Sequence, residues 1–166
     1  MNMEDIKEGL EGLILDLLVY RELRGLLHFS LEMLERQIVR EVVKEKRKEL
    51  SEFGKRLKID NIISVLEKCN LEEIKNATVL PYWGSTVYAE LMFCSNISVV
   101  VPKNRVEDFK ALMISMAGEV EDKLARCEEY QIFREYSNLV AWKLGDIVGE
   151  MTRTINKMVK AEIKNE

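Results

Sequence analysis

The chain contains one histidine, and the acidic residues that follow it have the spacing of metal ligands. His28, Glu32 and Glu35 would share one face of a helix. Imidazole and carboxylate groups bind divalent metals, but a site needs more ligands than these three. No second histidine motif completes the set, and the same face continues into apolar Val39. We therefore expect a structural role for these residues, with no metal and no cofactor.

The sequence contains no motif that is typical of a catalytic site. The cysteines Cys69, Cys94 and Cys127 are odd in number and lack CxxC spacing, which favours reduced thiols in a cytoplasmic protein. There is no P-loop, no dinucleotide-binding glycine pattern and no nucleophile elbow. No apolar run approaches the roughly 18–20 residues of a membrane span, and the acidic start lacks the basic region of a signal peptide. We assign no catalytic residues and expect no membrane contact.

Charge is unevenly distributed along the first part of the chain. Residues 1–35 contain three Lys/Arg and eight Asp/Glu, whereas residues 36–58 contain nine and four. On a helical wheel at about 100° per residue, five basic side chains share the solvent-facing side. They are Arg36, Arg40, Lys44, Arg47 and Lys48. We expect Glu41 and Glu45 to compensate Lys44 and Lys48 at i,i+3 spacing.

This basic face has two interpretations. It is either a solvated helix with ion pairs, or an electrostatic footprint for nucleic acid or an acidic partner. No aromatic residues alternate with the basic ones, which disfavours base stacking. The net charge of the chain, -4, gives no general attraction to nucleic acid.

Two further features indicate contact with a second subunit. Seven of the eight residues from Leu13 to Tyr20 are apolar, so a helix there needs cover on several sides. Near the other end of the chain, small residues recur every four positions at Ala141, Gly145 and Gly149. Glycine costs about 1 kcal/mol relative to alanine within a helix, and such a ridge allows close approach of another helix, from this chain or a second one. We predict a homodimer through Leu13 and Leu17 or through this ridge.

The segment from Ala77 to Pro102 holds both prolines and alternates as β-strands do. A three-residue loop would pair Phe93 with Ile97 and place Asn96 in the left-handed conformation. The same loop pairs Leu91 with Val99 and Ala89 with Val101. A turn at Gly84-Ser85 would pair Leu80 with Ala89 and leave Pro81 on an edge strand. The sequence therefore predicts an antiparallel hairpin or three-stranded meander over about residues 78–101.

The flanking segments have helical periodicity and contain no proline. We expect helix breaks near Gly25 and between residues 128 and 137, and a capping box at Asn70 and Glu73. The predicted fold is α+β and predominantly α-helical, with helices packed around the small β-element. It forms a single domain over residues 1–166, with helical halves at 1–76 and 103–166 and the β-meander at 77–102.

The order long helix, β-hairpins, long helix resembles that of prefoldin subunits. The resemblance lies in LPYWGSTVYAEL at residues 80–91 and ISVVVPKNRVEDF at residues 97–109. It contains no specific motif, and the flanking helices here are apolar on wide faces where prefoldin helices are slender and polar. The sequence gives no family assignment on this basis.

The function that these features favour is a non-catalytic interaction or regulatory protein that binds an unknown protein partner and forms a homodimer. The alternative is a nucleic-acid-associated protein that uses the basic face of residues 36–58. An enzyme with a carboxylate-based site is the third and least favoured class.

Overall fold

The computed structural model describes residues 2–53 and 59–164, and most of these residues are helical. The helices before the sheet are α1 (Met3–Glu45), α2 (Arg47–Ser51), α3 (Ile59–Glu67) and α4 (Leu71–Lys75). The strands are β1 (Thr78–Pro81), β2 (Tyr88–Cys94) and β3 (Ile97–Pro102), and they form one antiparallel sheet in the order β1-β2-β3. A 3-10 turn (Lys103–Arg105) leads into α5 (Val106–Arg126) and α6 (Glu128–Lys164). The predicted α+β, mainly helical fold with a three-stranded meander is confirmed.

The chain divides into two compact units. Unit 1 comprises Met1–Leu31 and Ile132–Glu166, and unit 2 comprises Glu32–Gln131. Unit 1 therefore contains the first part of α1 and most of α6, whereas unit 2 contains the sheet and the remaining helices. The organisation as a single domain over residues 1–166 stays a prediction.

The core of unit 2 joins one face of the sheet to the helices that flank it. Alternate residues of β2 are buried, at Ala89, Leu91 and Phe93, as their period-2 pattern requires. The same core contains Phe109 of α5, which is fully buried and meets the ring of Phe53 edge to face with centroids 5.1 Å apart. Packing of this apolar face against the helices explains why so small a sheet is stable here.

The sheet register agrees with the prediction at its centre and differs at its ends. Leu91 pairs with Val99 and Ala89 with Val101, as predicted, but a bulge shifts the register so that Cys94 pairs with Ile97. The loop is therefore one residue shorter than predicted. No non-glycine residue in the described chain has a positive φ, so the expectation for Asn96 was also wrong. The bulge adds one residue to β2, so Phe93 stays on the buried face although the loop between β2 and β3 is shorter.

Strand β1 is displaced by one residue from its predicted pairing. Pro81, rather than Leu80, lies opposite Ala89, although the predicted edge position of Pro81 is confirmed. Three of the four β1 residues are exposed. Burial therefore imposes little constraint on the register of this strand.

Unit 1 is an antiparallel pair of helices that meet along coiled-coil seams. In α1 the inward apolar residues are separated by three, four or seven positions, as are those of α6. They are Ile6, Leu10, Leu13, Leu17, Tyr20 and Leu27 in α1, and Phe133, Val140, Leu144, Ile147, Met151 and Met158 in α6. Leu27 packs with Val140 and Leu144, whereas Ile6 lies beside Ala161 near the other end of α6.

The predicted helix break at Gly25 was wrong, because α1 continues through this residue. Burial of the seam outweighs the cost of about 1 kcal/mol for one glycine. The second break lies at Cys127, between α5 and α6, one residue before the predicted range. The capping box at Asn70 and Glu73 is confirmed, with both reciprocal hydrogen bonds present.

Candidate interaction surfaces

The two acidic residues that follow the histidine have other partners in the described structure. Glu32 pairs with Arg36 at 3.0 Å, and Glu35 Oε1 accepts a hydrogen bond from the backbone N–H of Leu71 at 2.8 Å. Glu35 therefore stabilises the start of α4, beside the capping box. Within residues 2–53 and 59–164, no three His, Cys, Asp or Glu side chains gather as a metal site. The absence of a metal requirement stays a prediction.

The three cysteines are free thiols in different environments. Cys69 is buried, whereas Cys94 and Cys127 are half-buried. Burial, followed by the nearby charge of Glu73, raises the pKa of the Cys69 thiol to about 12. A thiol held neutral in this way is a packing residue rather than a nucleophile.

The five predicted basic side chains are exposed on α1 and α2: Arg36, Arg40, Lys44, Arg47 and Lys48. The predicted compensation by Glu41 and Glu45 was wrong. Both carboxylates pair instead with Lys123 of α5, at 4.0 and 2.8 Å, and the Glu45 hydrogen bond raises the pKa of Lys123. Packing of α5 against this side of α1 therefore removes the acidic residues from Lys44 and Lys48. Residues 54–58 of the predicted basic segment lie outside the described residues.

Three of the five basic side chains have no ionic partner among the described residues. In this part of the chain no ion pair forms at Arg40, Lys44 or Lys48, whereas Arg36 pairs with Glu32. Lys46, which is not part of the basic face, is turned toward α5 and pairs with Glu119 at 2.8 Å. The exposed positive charge without an ionic partner therefore lies at Arg40, Lys44 and Lys48.

One groove in unit 2 gathers charged residues from three helices. Glu41 of α1, Lys123 and Arg126 of α5, and Glu128 and Glu129 of α6 all line it. The charges have mixed sign, and Glu41 lies 4.0 Å from Lys123. This composition is typical of a surface ion-pair network.

The apolar run of α1 is divided between two opposite faces. Leu13 and Leu17 are half-buried on the inward seam, and Leu17 packs against the cluster of Leu27, Val140 and Leu144. Their proposed contact with a second subunit stays a prediction. Leu15 and other members of the run face away from α6 and are exposed. The sequence pattern alone did not separate these two sets.

The outward residues of α1 form a second apolar seam, which we call the outer face. Its apolar members follow heptad-like spacing and lie about half a turn from the inward seam. They are Leu15, Val19, Leu26, Phe29 and Met33, with exposed fractions of 64, 64, 63, 63 and 50%. Glu22 occupies the position between Val19 and Leu26. Among the described residues nothing covers this face.

The small-residue ridge of α6 is also open. Ala141 and Gly145 are exposed and Gly149 is half-buried. A Cβ atom at Gly145 would meet nothing within 4 Å, and one at Gly149 would meet only the flexible Arg153 side chain at 3.6 Å. Packing within the described chain therefore does not require glycine at these positions. The neighbouring Trp142 is 74% exposed.

The turn between β1 and β2 presents an aromatic side chain to solvent. Trp83 is 97% exposed, and the backbone turns at Gly84, whose φ is 71°. The turn is closed by hydrogen bonds from the Ser85 N–H to the Tyr82 carbonyl and from the Tyr88 N–H to Ser85 Oγ. Positive φ favours glycine at position 84.

No protein-family model matches this chain, and neither a curated protein nor a solved structure matches it. The similarity to prefoldin subunits is therefore unsupported by these comparisons. Across the described residues, no helix is both long and apolar enough to span a bilayer. The functional argument therefore depends on the surfaces themselves.

Proposed function

We propose that this protein is a non-catalytic, cytoplasmic interaction protein that acts as a homodimer and binds through its helical surfaces. The outer face of α1 is the observation that supports this proposal. Its five large apolar side chains are at least half exposed and are flanked by charged residues. Contiguous exposed apolar patches of this kind mark protein–protein contacts.

The outer face is large enough to support a stable dimer. Residues 15–33 cover about 27 Å of helix at 1.5 Å per residue. Burying one leucine-sized side chain contributes about 1.5–3 kcal/mol. A twofold dimer buries this face on both copies, which is about ten side chains in all. Their burial offsets an association cost of roughly 4–15 kcal/mol.

Light scattering coupled to size-exclusion chromatography tests the assembly. We expect a mass of twice the 19.3 kDa chain at micromolar concentration, since the apolar face is satisfied only in the dimer. A mass of one chain at high micromolar concentration would contradict the proposal.

Nucleic-acid binding is the second candidate function, and the exposed, unpaired charges of Arg40 and Lys44 support it. If it is correct, binding is largely independent of sequence and weakens steeply with salt. The homodimer proposal predicts instead that this binding is absent at physiological salt. Fluorescence anisotropy with duplex and single-stranded oligonucleotides at about 50 and 200 mM salt separates the two.

The variant for this measurement is Arg40→Glu/Lys44→Glu, and the control is Lys157→Glu/Lys160→Glu on α6. Both variants change the net charge equally, but only the first alters the basic face. Salt-sensitive binding that the first variant abolishes and the control retains would make nucleic acid the leading function.

A further inference from the structure

The outer face of α1 continues beyond its apolar residues and carries opposite charges at its two ends. Three acidic residues precede Leu15, and three basic residues follow Met33. They are Glu4, Glu8 and Glu11 at the start, and Arg36, Arg40 and Lys44 at the end. On a helical wheel with a rotation of about 100° per residue, the six charged residues and the five apolar residues fall within one arc. This arc is about 100° wide. They belong to one helix, so their shared face follows from helical geometry alone.

These charges are available for pairing with another molecule. All six side chains are exposed. In the part of the chain that the structure describes, only Arg36 of the six has an ionic partner, and this is its neighbour Glu32. The outer face is thus acidic, then apolar, then basic along α1.

This pattern is complementary to itself when it is reversed about residue 24, which is the midpoint of α1. Four pairs of outer-face positions equally distant from residue 24 are acid–base or apolar–apolar, whereas the central pair is not, and Glu11 and Arg36 lie opposite Gln37 and Gly12. The pairs are Glu4 with Lys44, Glu8 with Arg40, Leu15 with Met33, Val19 with Phe29, and the central Glu22 with Leu26. Glu11 lies within one residue of the position that matches Arg36.

We propose that α1 pairs with α1 of a second copy of this chain in antiparallel orientation, centred on residue 24. This inference rests on the proposed homodimer and specifies its contact surface and register. The acidic start of each helix lies against the basic end of the other. The basic side chains of α1 then pair with carboxylates of a second copy rather than with the phosphates of a nucleic acid. Such charge pairs determine orientation and register more than affinity.

Competing arrangements are disfavoured by the same residues. A parallel, in-register pair buries the same apolar side chains but places Glu8 opposite Glu8 and Arg40 opposite Arg40. An antiparallel slip of one heptad in one direction places Leu15 opposite Arg40, and a slip in the other places Met33 opposite Glu8. Each alternative replaces matched pairs with like charges or with an apolar residue opposite a charge.

Disulfide cross-linking between Glu8→Cys and Arg40→Cys chains tests the register. Positions 8 and 40 are about 48 Å apart along one helix at 1.5 Å per residue, so no disulfide can join them within a chain. We expect mild oxidation to link the two variants when they are mixed, and neither variant to link to itself through the new cysteine. Peptide mass spectrometry locates the bond and separates it from any bond to Cys94 or Cys127.

A mixture of Arg40→Cys with Glu107→Cys is the control, because Glu107 is exposed on α5 and lies outside the outer face. Linkage of Glu8→Cys to itself in a dimeric protein would overturn the antiparallel register but not the homodimer. A dimer with no linkage in any combination would equally overturn the inference. A monomer in light scattering removes the proposed homodimer itself.

Discussion

Replacing Leu26 by aspartate is expected to dissociate the dimer while leaving the helical content of the chain unchanged. Leu26 is 63% exposed in the single chain, so folding of the monomer loses little burial. A twofold dimer loses two buried leucines, each contributing about 1.5–3 kcal/mol, and gains two desolvated carboxylates. In the proposed register each new carboxylate also lies opposite Glu22. We expect the dissociation constant to rise by about 100-fold or more.

Sedimentation velocity over a concentration series measures this shift, and circular dichroism reports the helical content. Ile114→Asp is the matched control, because Ile114 is 66% exposed and belongs to α5, which is not part of the outer face. We expect the control to remain dimeric. An unchanged dimer in Leu26→Asp would exclude the outer face of α1 as the contact.

Replacing Phe109 by alanine is expected to destabilise unit 2 by about 3–5 kcal/mol. Phe109 is fully buried, and its ring meets that of Phe53 edge to face. Truncation of Phe109 therefore leaves a cavity that the closely packed sheet and helices cannot close. Arg105 stacks on the Phe53 ring at 4.6 Å, and this contact is also loosened. Because domains are stable by only about 5–15 kcal/mol, the loss is a large part of the total.

Urea denaturation followed by circular dichroism measures the destabilisation. Ile114→Ala on the same helix is the control, because its side chain is 66% exposed, and we expect a change within about 0.5 kcal/mol. A loss of stability in Phe109→Ala no larger than in this control would show that unit 2 does not depend on the packing described.

The proposed antiparallel pairing would explain two separate features of the sequence together. Acidic residues are in excess over residues 1–35, and basic residues are in excess over residues 36–58. On α1 they continue one face whose centre is apolar and exposed. The basic face is then part of the contact between two copies, and its charge need not indicate nucleic acid.

Local patterns determined much of the fold. The alternation of Ala89, Leu91 and Phe93 predicted a strand with one buried face, and Asn70 with Glu73 predicted a helix start. Both depend on residues close together in sequence, whose geometry follows from the period of the element or from one turn of helix. The charge distribution of α1 was likewise visible before the structure.

Only the tertiary structure decided which apolar side chains are buried and which ion pairs form, where the local sequence allows more than one arrangement. The run from Leu13 to Tyr20 is apolar almost all round, and only contact with α6 shows that Leu17 is inward and Leu15 outward. Glu41 and Glu45 have suitable basic neighbours on their own helix, yet Lys123 of α5 takes both. An ion pair within one helix contributes only a few tenths of a kcal/mol, so the packing of α5 decides where Glu41 and Glu45 pair, as the packing of α6 decides which side of the apolar run is buried.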